Sequence, residues 1–209
     1  MHIKICGLKT LDEALAAIDA GADYLGFNFY PPSPRYLSPE ACAQITSRLG
    51  AGPRGVKTVG IFVNETPEQV RSLLSACGLD LAQLHGEEPP EIFQALGGRA
   101  YKAFRGAAGQ AVEAYASAGP GAPAFLVDAC APKALGGTGQ VADWPAARAL
   151  AAEYPIFLAG GLTPENVAEA VAQVRPWGVD VASGVESAPG RKDPQKMKDF
   201  VAAATAALR

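Results

Sequence analysis

Histidine is nearly absent from this chain. His2 and His85 are the two it has, and neither sits in a metal-ligand spacing. The four cysteines, Cys6, Cys42, Cys77 and Cys130, are scattered with no zinc-like pairing among them, so a metal site is not expected. An excess of charge is lacking as well: the formal net charge is −3, and no cluster of lysine and arginine marks a face for nucleic acid. No apolar run approaches the length of a membrane span, and no basic-then-apolar leader opens the sequence. The expectation is a cytoplasmic protein with reduced thiols, with neither membrane nor nucleic acid among its partners. No Gly-x-Gly-x-x-Gly turn follows the first apolar strand, so a dinucleotide site is unsupported. The sequence gives no reading of an oligomeric partner.

What the chain does have is alternation. Its 209 residues, 49% of them hydrophobic, suffice for one sizeable core, and a single domain over 1–209 is expected. Short apolar or β-branched runs predict strands at His2–Gly7, Tyr24–Phe29, Lys57–Val63, Leu81–Gly86, Ala100–Gly106, Ala124–Ala129, Pro155–Gly161 and Gly178–Gly184. Helical patterns lie between them, among others Leu11–Ala20, Pro39–Leu49, Pro67–Cys77, Asp143–Glu153 and Pro164–Val174, with Pro194–Leu208 closing the chain. Ser38, Thr66, Thr163 and Asp193 each place a capping oxygen before a proline. The Ala- and Gly-rich stretch Gly106–Pro123 reads as a poorly specified fifth helix flanked by loops. Eight units of about 26 residues each predict parallel strands with crossover helices, closing into an α/β fold of the (β/α)8 TIM-barrel class. A doubly wound open sheet is the runner-up.

In such barrels chemistry sits where the strands end. Cys6 ends the first strand and Asp128 the sixth. Alternation places Lys4 and Cys6 on one face of their strand, and Ala124, Leu126 and Asp128 on one face of theirs. If both faces point inward, thiol and carboxylate meet across the mouth as base and acid. Taken singly, Cys6 could be a small buried hydrophobe and Asp128 a loop anchor. Gly160 and Gly161 follow strand seven; Ser183 and Gly184 follow strand eight, with Ser187–Gly190 able to form a short extra helix. Their backbone N–H groups suit a phosphate, although paired glycines also make tight turns. Three prolines stiffen the loop bearing Arg35 and hold its guanidinium over the mouth for a carboxylate; in isolation it would read as a solvated surface arginine. Gly136–Gly139 reads as a lid. His85 either touches the substrate or fills a polar layer, and Asp180 either meets a substrate amine or hydroxyl or makes an internal barrel bond.

Lys4-Ile5-Cys6-Gly7-Leu8, Gly26–Phe29 with Ser33-Pro34-Arg35, Val59–Asn64, Gln83–Glu87, Gly136–Gly139, Leu158–Leu162 and Gly178–Val181 together resemble the phosphoribosylanthranilate isomerases. The matches run in family order from residue 3 to about residue 193. The resemblance implies a tryptophan-pathway (β/α)8 enzyme without cofactor or metal. Such an enzyme converts N-(5-phosphoribosyl)anthranilate, by an Amadori rearrangement, to 1-(2-carboxyphenylamino)-1-deoxyribulose 5-phosphate. It implies Cys6 as general base, Asp128 as general acid, Arg35 on the anthranilate carboxylate and the glycine loops on the phosphate. Ala182, where the family more often has serine, and Lys9, in place of threonine, depart from the pattern; Lys9 is expected to lie outside the chemistry. Independently of the family, a neutral Asp128, its pKa raised by burial, would open the sugar ring, and local charge would lower the Cys6 pKa toward a thiolate. A histidine-pathway isomerase would want a carboxylate where Cys6 stands, and a pentose-phosphate epimerase would want more histidine. From another class, a catalytically silent barrel binding a phosphorylated sugar is the alternative.

Overall fold

The strands of this chain are five or six residues of β-branched and aromatic character at most, too short to bury a face alone, and they solve this by closing on themselves. In the computed structural model, which describes residues 1–50, 55–106, 112–116, 121–128 and 143–207, β1 (His2–Cys6), β2 (Tyr24–Asn28), β3 (Lys57–Phe62), β4 (Leu81–Leu84), β5 (Ala100–Arg105), β6 (Phe125–Asp128), β7 (Ile156–Ala159) and β8 (Gly178–Val181) form a closed parallel barrel in sequence order. Closure is made by β1 against β8, in the register Lys4 to Asp180 and Ile5 to Val181. The strands stop one to three residues before their predicted ends, because the rim residues turn away into the loops.

Helices α1 (Leu11–Ala20), α2 (Pro39–Leu49), α3 (Pro67–Ala76), α4 (Glu91–Ala95), α5 (Trp144–Glu153), α6 (Val167–Val174) and α7 (Pro194–Ala206) cover the outside. Outward strand residues such as Ile5, Leu25, Phe62, Phe125 and Leu158 pack there against Ala14, Ile18, Val70, Leu74, Val171 and Phe200, and all are buried. Each fully buried Leu or Phe contributes about 1.5–3 kcal/mol. The barrel interior is a second, smaller cluster including Tyr24, Val59, Tyr101, Leu126 and Phe157. Phe157 meets both Tyr24 and Trp177 edge-on, at 5.2 and 5.1 Å between ring centres.

Ser38, Thr66 and Asp193 cap α2, α3 and α7 as their sequence predicts. Thr163 does not. Its hydroxyl accepts from the Glu165 amide while Asn166 Oδ1 accepts from its own, so the chain makes a tight turn first and α6 begins at Val167. In the Gly106–Pro123 stretch, the described part forms a single 3-10 turn, Val112–Tyr115, in place of the expected helix. α4, a five-residue helix with no side-chain cap, carries no sequence signal strong enough to announce it.

The most complete helix start is at α3. Thr66 Oγ1 accepts from the Gln69 amide, and Gln69 Oε1 accepts from the Thr66 amide, both at 3.2 Å. Thr66→Ala removes the hydroxyl half of this box, leaving the residue-66 amide to Gln69, and should cost about 1 kcal/mol. The expected result is a lower urea midpoint with kcat unchanged, since α3 lies on the outer layer.

Candidate active site

Because side chains alternate along each strand, inward residues near the strand ends reach the carboxyl rim, where residues of the following loops join them. Together they line a cavity of about 270 Å³ holding Cys6, Arg35, His85, Asp128, Gly160, Gly161, Asp180 and Ser183, with Asn28, Gln83 and Ala182 beside them. Of the catalytic and substrate-binding candidates expected from sequence, all of them among the described residues, Gly184 alone is not on its wall. A Cβ on Gly184 would sit 1.9 Å from the Leu162 carbonyl oxygen, so this glycine lets the β8 loop rest against the β7 loop.

Cys6 is 8% exposed. Its Cα pairs with Gly26, where a Cβ would come within 2.8 Å of the sulfur, so Gly26 makes the space the thiol occupies. Burial pushes the Cys6 thiol up; the charges of Lys4 and Lys192 pull it down but do not win. This corrects the expectation of a lowered thiol pKa: the site is drier than the sequence suggested. Asp128 stands half-buried at the end of β6, its backbone paired to Arg105 and Ala159.

Beneath Cys6 lies a buried polar network. Lys4, wholly inaccessible, donates to Gln83 Oε1 and Asp180 Oδ1, each at 2.9 Å. Burial works against its charge, yet Asp180, Cys6 and Tyr101 hold its pKa above the ordinary value. Asp180 therefore makes the internal barrel bond, while also reaching the cavity wall. Tyr101 donates to the same Gln83 oxygen at 3.1 Å. With that oxygen serving two donors, the Gln83 amide nitrogen faces His85 Nδ1 at 3.5 Å, which assigns the histidine proton to Nε2. Burial depresses the His85 pKa, so the ring is neutral at physiological pH.

Arg35 is not held free over the mouth. Its stem crosses Gly7, where a Cβ would lie 2.6 Å from Arg35 Cδ and where φ is +77°, a conformation glycine adopts without strain. Its Nε and Nη2 donate to the two oxygens of Glu186 at 2.7 and 2.8 Å. Glu186 also accepts from buried Lys192 at 2.9 Å. Burial opposes the Glu186 charge, but these two cations hold its carboxyl below the usual range, while burial lowers Lys192. Lys9, expected outside the chemistry, donates to the Pro34 carbonyl at 3.2 Å and so supports the Arg35 loop. Asn28 braces the other side, its Oδ1 accepting from the Tyr30 amide at 2.8 Å.

Gly160 and Gly161 turn with φ of +97° and +64°. After β8 the helical turn is Ser183–Val185; the predicted helix at Ser187–Gly190 is instead a hairpin of β9 (Glu186–Ala188) and β10 (Arg191–Lys192). That hairpin carries Lys192 back under Glu186. The glycine run Gly136–Gly139 lies outside the described residues.

A model of the N-(5'-phosphoribosyl)anthranilate isomerases matches residues 3–203. The chain belongs to this family. It is 48% identical over 205 residues to the N-(5'-phosphoribosyl)anthranilate isomerase of Geobacter sulfurreducens, covering 96% of this chain and 97% of that one. The crystal structure of the Thermotoga maritima phosphoribosyl anthranilate isomerase superposes with a TM-score of 0.87 at 38% identity, covering 99% of both chains. Another solved member, with a TM-score of 0.83 and 36% identity over 99% of both chains, holds reduced 1-(o-carboxyphenylamino)-1-deoxyribulose 5-phosphate.

Within this phosphoribosylanthranilate isomerase fold, sequence reasoning missed Asn28, Gln83, Glu186 and Lys192. Gln83 was within reach, sharing its strand face with His85 at a spacing of two. Glu186 and Lys192 were not, because nothing in their spacing announces a hairpin. Glu186→Gln leaves Lys192 buried against a neutral amide and should cost about 3 kcal/mol at neutral pH. Because the folded Glu186 ionises below its unfolded value, the bridge stabilises fully above about pH 4.3 and is lost as pH falls through the folded pKa. Urea unfolding at about pH 7 and again at roughly pH 2–3 should show the gap between variant and parent closing in acid.

Proposed function

We propose that the cavity between Cys6 and Asp128 is where this chain isomerises N-(5'-phosphoribosyl)anthranilate to 1-(2-carboxyphenylamino)-1-deoxy-D-ribulose 5-phosphate, a step of tryptophan biosynthesis in the cytoplasm. The observation that carries the reading is that a thiol and a carboxylate from the ends of β1 and β6 line one cavity with the glycine loops after β7 and β8. No described helix is long and apolar enough to cross a membrane, consistent with a small-molecule enzyme. The family's bound product analogue supports a phosphorylated ligand with a carboxylate at its far end.

Asp128 donates a proton to the ring oxygen, the C1–O bond breaks, and the anilino nitrogen's lone pair forms a C1=N iminium. Cys6 then takes the C2 proton, and the C–H electron pair forms the C1=C2 bond and neutralises the nitrogen. Proton return to C1 and loss of the enol proton give the ketone. The thiolate is costly in the empty cavity, where burial raises its pKa. The iminium supplies a positive charge beside it when the base is needed.

Arg35 recognises the anthranilate carboxylate in this reading. Glu186 occupies its Nε/Nη2 edge, leaving the outer Nη1/Nη2 edge, which also presents two parallel N–H groups. Glu186 thus aims the guanidinium without consuming its binding edge. Phosphate is held by backbone N–H groups of Gly160, Gly161 and Ser183, with Gly184 keeping the two loops in contact.

Loss of anthranilate fluorescence with freshly generated substrate measures the reaction. Cys6→Ala and Asp128→Asn should each lower kcat by at least about 100-fold while leaving product-analogue affinity within a few-fold. Near-parental turnover in both would place the chemistry elsewhere. At the phosphate end, Ser183→Ala should be mild because the amide remains. Gly161→Val should raise KM at least about tenfold, since a branched residue at positive φ both strains the turn and crowds the anion; titration with inorganic phosphate as a competitive inhibitor reads the same loss.

A further inference from the structure

A lysine with no access to solvent is an expensive floor for a barrel, since a buried ion pair is often no more stable than the apolar residues that could replace it. Lys4 occupies that floor nonetheless. It lies two residues before Cys6 on the same inward face of β1, about 7 Å away by the strand rise. It is fixed from β4 by Gln83 and from β8 by Asp180, at 2.9 Å each, and Gln83 is itself held by Tyr101 of β5. Cys6, Gln83 and Asp180 all reach the cavity, whereas Lys4 lies beneath them, where substrate cannot touch it.

We propose that Lys4 is a positioning residue, the fixed positive charge that supports Cys6 as a base. The proposal rests on the reading of Cys6 as base given above. The charged and titratable groups acting around Cys6 are Lys4 on its own strand, Tyr101 on β5, Asp180 on β8, Lys192 on β10 and Arg35 in the β2 loop. Among the charges that act on Cys6, Lys4 leads, and Asp180 opposes it. Asp180 thereby has two opposite effects: it keeps Lys4 charged, and its own charge disfavours the thiolate. The pair is a gauge of how much positive potential reaches the sulfur.

Two substitutions of opposite sign test this. Lys4→Met keeps an unbranched side chain in the floor and removes the charge; Asp180→Asn keeps the shape and removes the opposing anion. The readout is the rate of Cys6 alkylation by iodoacetamide, followed by mass of the Cys6 peptide across pH, which is independent of turnover. At neutral pH, Lys4→Met should slow alkylation about tenfold for each pKa unit gained, the two curves meeting at high pH where both are thiolate. Asp180→Asn should accelerate it, with its rise displaced to lower pH. A structural role alone would loosen the barrel and speed alkylation in both variants, and that result, or unchanged rates in both, overturns the proposal. If Lys4→Met does not fold, the pH profile of Asp180→Asn decides: a rise displaced to lower pH with the high-pH rate unchanged supports the proposal, and a rate raised equally at all pH values, or not raised at all, overturns it. Should Cys6→Ala retain turnover while the alkylation shifts appear as expected, the base assignment fails and the electrostatic one stands.

Discussion

The pairing of the first strand with the eighth is the interaction on which the site depends. It joins Lys4 to Asp180 and Ile5 to Val181 in register, residues about as far apart in sequence as the fold allows. Without it Lys4 would have no counter-charge and the β8 loop could not lean over Cys6. The same closure brings Lys192 and Glu186 within reach of Arg35, and lets Glu13 of α1 accept from the Lys192 amide at 2.8 Å. Closure pays a large loop entropy once, and the polar contacts at the rim are then made between elements already held in place.

That dependence explains what could be read in advance. Strand and helix periodicity is local, so the eight-stranded barrel was legible from alternation, and the rule that loops after strands carry chemistry led to Cys6, Asp128 and the glycine turns. The family resemblance supplied their roles. What escaped was set by tertiary partners. Arg35 was expected to stand free because Glu186 lies 151 residues away in sequence and in a hairpin without a signal. Thr163 looked like a cap, but Asn166 competes for the same turn. The Cys6 thiol was expected to be acidified because nearby charge is easy to imagine from sequence, whereas the extent of desolvation is visible only once the barrel is closed.

The charges around the mouth are arranged in two tiers. The lower tier is Lys4 with Asp180, buried and neutral as a pair. The upper tier is Glu186 between Arg35 and Lys192, which leaves one net positive charge when all three are ionised. A third buried pair, Lys102 with Glu88 at 2.7 Å, holds the β4 loop: Lys102 also donates to the Gly86 carbonyl, and Glu88 accepts from the Gly86 amide. This fixes the start of the loop that follows His85. Buried pairs of this kind add little net stability, yet each fixes a loop that the cavity needs. Their distribution follows the site and not the core.

In the proposed function, the upper tier bears on how a substrate with an anionic group at each end would be held. A phosphate at the β7 and β8 loops would then be met mainly by backbone N–H groups, since Arg35 is the one lysine or arginine among the described residues lining the cavity. The carboxylate end, by contrast, would meet Arg35, whose charge is already shared with Glu186. An arginine fully neutralised by its partner would attract a carboxylate weakly, and an unpaired arginine would swing. Glu186 avoids the first outcome because Lys192 donates to the same carboxylate, drawing its charge away from Arg35. Lys192 is buried and not among the described residues lining the cavity, and by engaging Glu186 it returns positive potential to Arg35, which is among them. In the proposed function, recognition at that end would therefore be a property of the triad, with the fold holding Glu186 and the second cation in place before any ligand arrives.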